Sequence, residues 1–314
     1  MGPARIPPDC PTFRDFSLPA APTPPLVLTF APSDPSAGGG IQADLLTCAS
    51  MGCHALTVLT GYTVQDSAGL EDGEAIAPEW IDDQARSLLE DMPVRAFKIG
   101  GLFSAEAVAA VAEILADYSA VPVVLHLGAD PPDTDDAETE DSAEEIMAAT
   151  IELLVPQATL VVADSLRLEQ LAADGLLDLE ASDETAAQAL LRRGAAWVLA
   201  TGLHQPGDIV VNTLRGGGDT TAEPAGEYRW PRLPGNFRGA GPTLSAALAA
   251  LLASGMDVRD ATAEAQEYTW QALASGFQPG MGRLLPDRFF WAKQGSEPAA
   301  AGDDAAPDTV EPTP

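Results

Sequence analysis

Two glycine-rich stretches in this chain have the residue types and placement to hold an anion against backbone N–H groups. The first reads Ser33-Asp34-Pro35-Ser36-Ala37-Gly38-Gly39-Gly40-Ile41-Gln42-Ala43-Asp44. It follows a short apolar run and opens a helical one. Its three consecutive glycines let the backbone approach a ligand closely and reach positive φ. A flexible turn with a helix cap is the plainer alternative. The second reads Gly239-Ala240-Gly241-Pro242-Thr243-Leu244-Ser245 and leads into an alanine-rich helix that ends near Ala253. Small residues ahead of a helix leave its first N–H groups free to face an anion. A glycine turn with proline at the first helical position would read the same way. Glycine-rich loops are common, so neither stretch is specific by itself.

The elements that must position these loops are legible from hydrophobic periodicity. Short, wholly apolar runs at residues 26–30, 97–99, 121–125, 159–162 and 197–200, with a β-rich run at 54–61, read as strands. Residues 41–51, 78–89, 105–118 and 184–193 have helical spacing. Apolar strands alternating with helices predict an α/β fold with a mostly parallel sheet covered on both faces. Residues 208–214 and 227–230 look like antiparallel strands added at an edge. Ligands in such sheets bind beyond the carboxyl ends of the strands.

The chain has 314 residues, 46% of them hydrophobic, enough for one large core. Residues 1–25 are proline-rich without apolar period and read as a disordered arm; 26–292 read as one domain, and 293–314 as a disordered acidic tail. The acidic stretch 128–145 reads as a surface insert, a loop running into a helix start capped by Ser142. No apolar run approaches the ~18 residues a membrane helix needs, and the N-terminus has no secretory pattern. Cys10, Cys48 and Cys53 form no C-x-x-C pair, which fits a reduced, cytoplasmic compartment, and Cys48 and Cys53, in apolar stretches, read as core thiols. A net charge of −31 repels nucleic acid and anionic lipid, so neither is expected as a partner. It repels ATP as well. A nucleotide site here needs Mg2+ and locally aimed N–H dipoles.

Taken together the motifs are specific. Ser33-to-Leu45 (S-D-P-S-x-G-x-G-I-Q-A-D-L), Val64-Gln65-Asp66-Ser67, Lys98-Ile99-Gly100, Gly239-to-Leu248 (G-A-G-x-T-L-S-A-A-L) and the closing M-G-R-L-L-P-D-R-F-F-W stretch resemble hydroxymethylpyrimidine/phosphomethylpyrimidine kinases. The likeness runs from about Leu26 to Trp291 in family order. It implies a ribokinase-like three-layer sandwich, ATP and Mg2+ as cofactors, and a small-molecule pyrimidine as substrate in thiamine biosynthesis. The family is often dimeric; nothing in the sequence demands a homodimer. By the same resemblance the segment from Asp34 through Gly39 to Asp44 lines the pyrimidine pocket. Gln65 would hydrogen-bond the aminopyrimidine, a task suited to an amide that both donates and accepts. Gly239, Ala240 and Gly241 would form the anion hole for the transferred phosphoryl group.

The departures from the family pattern bear on activity. The family's catalytic base, Cys or Asp, follows the G-x-G turn, where this chain has Pro242. Proline can neither take a proton nor donate an N–H. Losing a general base typically costs ~10²–10⁴ in rate, and losing one anion-hole donor ~10²–10³. The family's T-P-N-x-x-E segment reads Asp164-Ser165-Leu166-Arg167-Leu168-Glu169 here. Glu169 matches the acid that organises Mg–ATP through water; a solvated helix face is its alternative. A family lysine beside ATP appears as Thr201, and an aspartate after the middle strand as His126. Arg238 is placed to restore positive charge at the anion hole, or is a surface arginine. Gly101 replaces a bulkier pocket residue and leaves room for a shifted substrate. These departures define the alternative to an active kinase, a non-catalytic pyrimidine-binding or regulatory pseudokinase on the same fold.

Overall fold

A computed structural model describes residues 22–128, 137–180, 184–204, 208–218 and 224–293. The proline-rich arm to residue 21, the acidic stretch 129–136 and the tail from 294 lie outside the described residues. The strands are β1 (Leu26–Ser33), β2 (His54–Gln65), β3 (Leu70–Ala75), β4 (Val94–Ile99), β5 (Val123–Leu127), β6 (Leu160–Asp164), β7 (Trp197–His204), β8 (Ile209–Gly216) and β9 (Gly226–Pro231). They form a single sheet in the order β3-β2-β1-β4-β5-β6-β7-β8-β9. The six strands from β2 to β7 in that order run parallel, and β3, β8 and β9 are antiparallel additions at the two edges.

Side chains of the central strands alternate between two cores. Leu28 and Phe30 of β1, Phe97 and Ile99 of β4, and Leu125 and Leu127 of β5 join a cluster with helices α2 (Pro78–Asp91), α3 (Ala105–Asp117), α4 (Ala137–Ala149), α5 (Ser165–Ala173) and α6 (Ala186–Arg192). Val27, Ala96 and Val124 face the other way, against α1 (Gly40–Ser50), α7 (Ala240–Ala253) and α8 (Val258–Ala274). A last short helix, α9, spans Phe290–Lys293. This period of two also puts Lys98 and His126 on the α1/α7 side. The sheet with helices on both faces is the ribokinase-like α/β arrangement expected from the sequence. Among the described residues, no helix is long and apolar enough to cross a membrane.

Three local expectations change. β2 continues to Gln65, past the expected end at 61, and pairs with β3, which apolar patterning did not reveal. The sequence of β3, LEDGEA, is nearly all exposed, so it has no buried face to create a pattern. The acidic stretch is helical from Ala137, so Ser142 lies inside α4 and not at its start. Alanine and glutamate favour helix strongly enough to start it earlier. Pro242 is the third residue of α7, not the first.

From Thr243 to Ala253 every residue of α7 is buried. Its alanines let it lie close against β1, β4 and β5, and fix where its N-terminus emerges. Ala247 has no exposed surface. Ala247→Leu is expected to lower stability by ~1–3 kcal/mol through overpacking; a urea melt with an unchanged midpoint would contradict this packing.

Candidate active site

The carboxyl end of β1 releases the chain into the first glycine loop, which is folded by Asp34. Its Oδ1 accepts from the Ser36 N–H at 2.8 Å and the Ser36 hydroxyl at 2.7 Å, and its Oδ2 from the Gly39 N–H at 2.6 Å. Asp34 is buried, and these bonds take up both oxygens. Ala37 has φ 57, a left-handed conformation that disfavours any side chain. Gly40, φ 61, turns the chain into α1, and a Cβ there would collide with the Pro32 carbonyl oxygen.

The second glycine turn lies directly on the first. Gly239 has φ 92, and a Cβ on it would collide with the Gly38 carbonyl oxygen. A Cβ on Gly39 would stand 3.6 Å from Pro242 Cγ. The first intrahelical bond of α7 runs from the Thr243 N–H to the Gly239 carbonyl, 3.1 Å. The Ala240 and Gly241 N–H groups therefore have no partner within the helix, and Pro242 has no N–H to leave over. Arg288 fastens the two turns together. Its Nη1 donates to Ala37 O at 2.9 Å, its Nη2 to Gly38 O at 2.8 Å, and its Nε to Thr243 Oγ1 at 3.0 Å.

Gln65 comes to the same point at the end of β2. Arg238 Nη2 donates to Gln65 Oε1 and lies 4.0 Å from Asp34 Oδ2. The turn after Gln65 is tied down as well, by donation from the Gly282 N–H to Ser67 Oγ (3.1 Å) and from the Arg283 N–H to Ser67 O (2.8 Å). Asp34, Gly39, Gln65, Gly239 and Pro242 are thus neighbours, as their sequence motifs suggested.

Below the loops lies a buried ionic layer on the α1/α7 face. Lys98 Nζ of β4 donates to Asp44 Oδ2 of α1 at 2.9 Å, with both side chains out of solvent. Burial pushes the Asp44 carboxyl above its ordinary value, while Lys98 and Arg288 pull it down. Asp44 thus spends Oδ2 on Lys98, beneath the loop to which its motif pointed, while its Oδ1 is buried without a hydrogen-bond partner among the described residues. His126 of β5 packs against the N-terminus of α7. A Cβ on Gly128 would stand 2.6 Å from its Nε2, and one on Gly241 would collide with it. The glycines at these positions make room for the ring.

On the other side, Asp164 accepts from the Arg167 N–H at 2.8 Å and caps α5. Glu169 is exposed one turn further along, and Leu166 is exposed beside it. Thr201 pairs in register with Asp164 across β6 and β7. Thr201 and the start of α5, the helix that carries Glu169, therefore lie at the carboxyl ends of these two strands. Among the described residues, no group of three or more His, Cys, Asp or Glu side chains could hold a metal ion directly. Arg288 is the largest omission of sequence reasoning, because two of its partners are backbone oxygens about 250 positions away. Lys98 carried a usable signal: a lysine inside an apolar strand must find a counter-charge when buried.

Comparison with known proteins fits this geometry. The family model described as phosphomethylpyrimidine kinase matches residues 34–286. The chain is 38% identical over 277 residues to a hydroxymethylpyrimidine/phosphomethylpyrimidine kinase of Streptomyces coelicolor, covering 86% of this chain and 96% of the relative. A Mycobacterium tuberculosis protein of the same description is 32% identical over 271 residues, covering 84% and 95%. Among solved structures, an ADP complex of Bacillus subtilis pyridoxal kinase aligns with TM-score 0.73 at 26% identity, over 86% of this chain and 99% of the other. A phosphomethylpyrimidine kinase from Clostridium difficile aligns with TM-score 0.62 at 26% identity, over 79% and 98%.

The buried ring of His126 gives a pH test of the site. Burial, reinforced by the Lys98 charge, pushes His126 down to about 3. The unfolded chain takes a proton there near pH ~6.5. Stability from this group is therefore full above that value and lost as pH falls towards 3. Between about pH 7 and pH 4, wild type should lose more stability than His126→Gln. Equal losses in denaturant midpoints would show that the ring titrates as if in solvent.

Proposed function

This chain belongs to the phosphomethylpyrimidine kinase family, and from that premise we propose that it transfers the terminal phosphoryl group of ATP to hydroxymethylpyrimidine or its monophosphate, in thiamine synthesis. One observation carries the proposal. Gln65, the Gly38–Gly39 backbone and the open N-terminus of α7 meet at a single point, joined by Arg238 and Arg288.

In this reading the pyrimidine lies between Gln65 and the first glycine loop. The amide presents a C=O and an NH₂ to the adjacent donor and acceptor of the ring. A carbonyl oxygen has two lone pairs, so Oε1 can accept from the substrate while it holds Arg238. The transferred group sits against Ala240 and Gly241, where N–H groups and the helix dipole favour negative charge. ATP approaches from the ends of β6 and β7, near Thr201. Magnesium would arrive on its phosphates, and the exposed Glu169 is the acid able to reach it through water.

Pro242 favours a second reading, a protein that binds the pyrimidine without turning it over. ADP release with hydroxymethylpyrimidine and Mg–ATP separates the two. Pro242→Asp restores both a carboxylate and a backbone N–H, and should raise turnover of this alcohol at least tenfold, a threshold set below the ~10²–10⁴ that a general base typically contributes. A variant that binds both substrates yet turns over no faster would show that Pro242 is not the limiting defect. Gln65→Ala should weaken hydroxymethylpyrimidine binding by ~1–3 kcal/mol, the usual cost of stranding a buried polar group. Calorimetry giving equal affinities would remove Gln65 from the ring-reading role.

A further inference from the structure

We propose that Arg238 reads a phosphate already carried by the pyrimidine, so that this chain acts on the phosphomonoester in preference to the free alcohol. The inference rests on the kinase reading above and narrows its substrate.

Its first support is the state of Arg238. The side chain is only 10% exposed. Nη2 is engaged by Gln65 and lies 4.0 Å from Asp34 Oδ2, whose oxygens accept from the loop, but Nη1 is buried without a hydrogen-bond partner among the described residues. The side chain crosses the first glycine loop: a Cβ on Gly38 would stand 3.1 Å from Arg238 Cδ and 3.2 Å from its Nε. Arg238 also directly precedes Gly239 and the 14-residue helix α7. The guanidinium thus stands between the amide assigned to the ring and the N–H groups assigned to the transferred group. A substituent on the ring's hydroxymethyl arm must pass through that space. A buried donor without an acceptor is costly, and a planar guanidinium fork matches a phosphate. The neighbouring cations are already engaged, Lys98 with Asp44 and Arg288 with Ala37, Gly38 and Thr243.

The second support is the chemistry at Pro242. An alcohol must lose its proton as its oxygen attacks phosphorus, and proline cannot accept it. His126, buried and weakly basic, is a poor substitute. A phosphomonoester has its second pKa near ~6, so its oxygen is already anionic at neutral pH. That oxygen forms a bond to the terminal phosphorus of the nucleoside triphosphate. The bond from that phosphorus to the β,γ-bridging oxygen breaks, and its electron pair leaves with the nucleoside diphosphate. The product carries a diphosphate, and no proton has to be removed from the nucleophile. What this reaction needs instead is positive charge between two anions, in a chain of net charge −31. Arg238 supplies it.

The test compares hydroxymethylpyrimidine with its monophosphate, by ADP release and by calorimetry, in wild type, Arg238→Gln and Arg238→Lys. Wild type should favour the monophosphate at least tenfold in kcat/KM and in affinity. Arg238→Gln should lower both ratios at least tenfold, and Arg238→Lys should recover part of the loss. A wild type that favours the alcohol, or an Arg238→Gln ratio within twofold of wild type, would overturn the proposal. If neither compound is turned over, the kinase reading fails and the binding ratios decide this one. Tighter monophosphate binding that vanishes in Arg238→Gln upholds Arg238 as the phosphate reader, whereas equal binding of the two compounds refutes it.

Discussion

The site is held together by one buried guanidinium. Arg288 donates to the Ala37 and Gly38 carbonyls and to the Thr243 hydroxyl, so a loop from the beginning of the chain and a helix from its end share a single clamp. Those carbonyls belong to a loop that is unfavourable by itself, with Ala37 left-handed. Without the clamp, the Gly38 oxygen would lose the Arg288 donor that holds it at the second turn. The backbone oxygen of Arg288 is held as well, by the Tyr268 hydroxyl at 2.8 Å and the Ser50 hydroxyl at 2.6 Å. The clamp is thereby anchored to α8 and α1, and the loop geometry inherits the rigidity of the core.

Charge is distributed with the same economy. The chain carries 47 acidic residues against 16 lysines and arginines, yet Lys98, Arg238 and Arg288 gather around the two glycine turns. A buried ion pair such as Lys98–Asp44 is a weak source of stability, because desolvation cancels much of its attraction. Its value here is positional. It ties α1 to β4 directly beneath the first loop, on the face that the two-residue period of β4 selects. An acidic surface would hold a nucleotide away, so attraction must be local, and short-range N–H groups and guanidinium donors act where the bulk field is most screened.

Much of this was legible in the sequence, and the failures have physical causes. The apolar runs of β1, β4, β5, β6 and β7 announced a parallel sheet because both their faces are buried. The two glycine stretches marked the site, since positive φ at Gly40 and Gly239 and the close approach at Gly38 demand small residues. β3 was illegible because an exposed edge strand has no hydrophobic period. Asp34 reads as a pocket residue, and its oxygens also accept from the loop's own Ser36 and Gly39; an acid in a glycine-rich turn reads the same in either role. Arg288 was illegible for a different reason. Two of its three partners are main-chain oxygens, and main-chain oxygens leave no trace in residue identity.

Pro242 shows how the structure separates folding from chemistry. In most of a helix, proline deletes a hydrogen bond and collides with the preceding turn, at ~3 kcal/mol or more. As the third residue of α7 it does neither, because the N–H it lacks precedes the first intrahelical bond, the one from Thr243 to Gly239. Its ring rests near Gly39, where the absence of a side chain leaves space. Folding therefore accepts proline at this position without that penalty. In the proposed reading, a residue that folding tolerates and that cannot take an alcohol's proton goes with a phosphomonoester as the nucleophile. Arg238, four residues earlier with a donor left unused in the same space, is the complementary half of that reading.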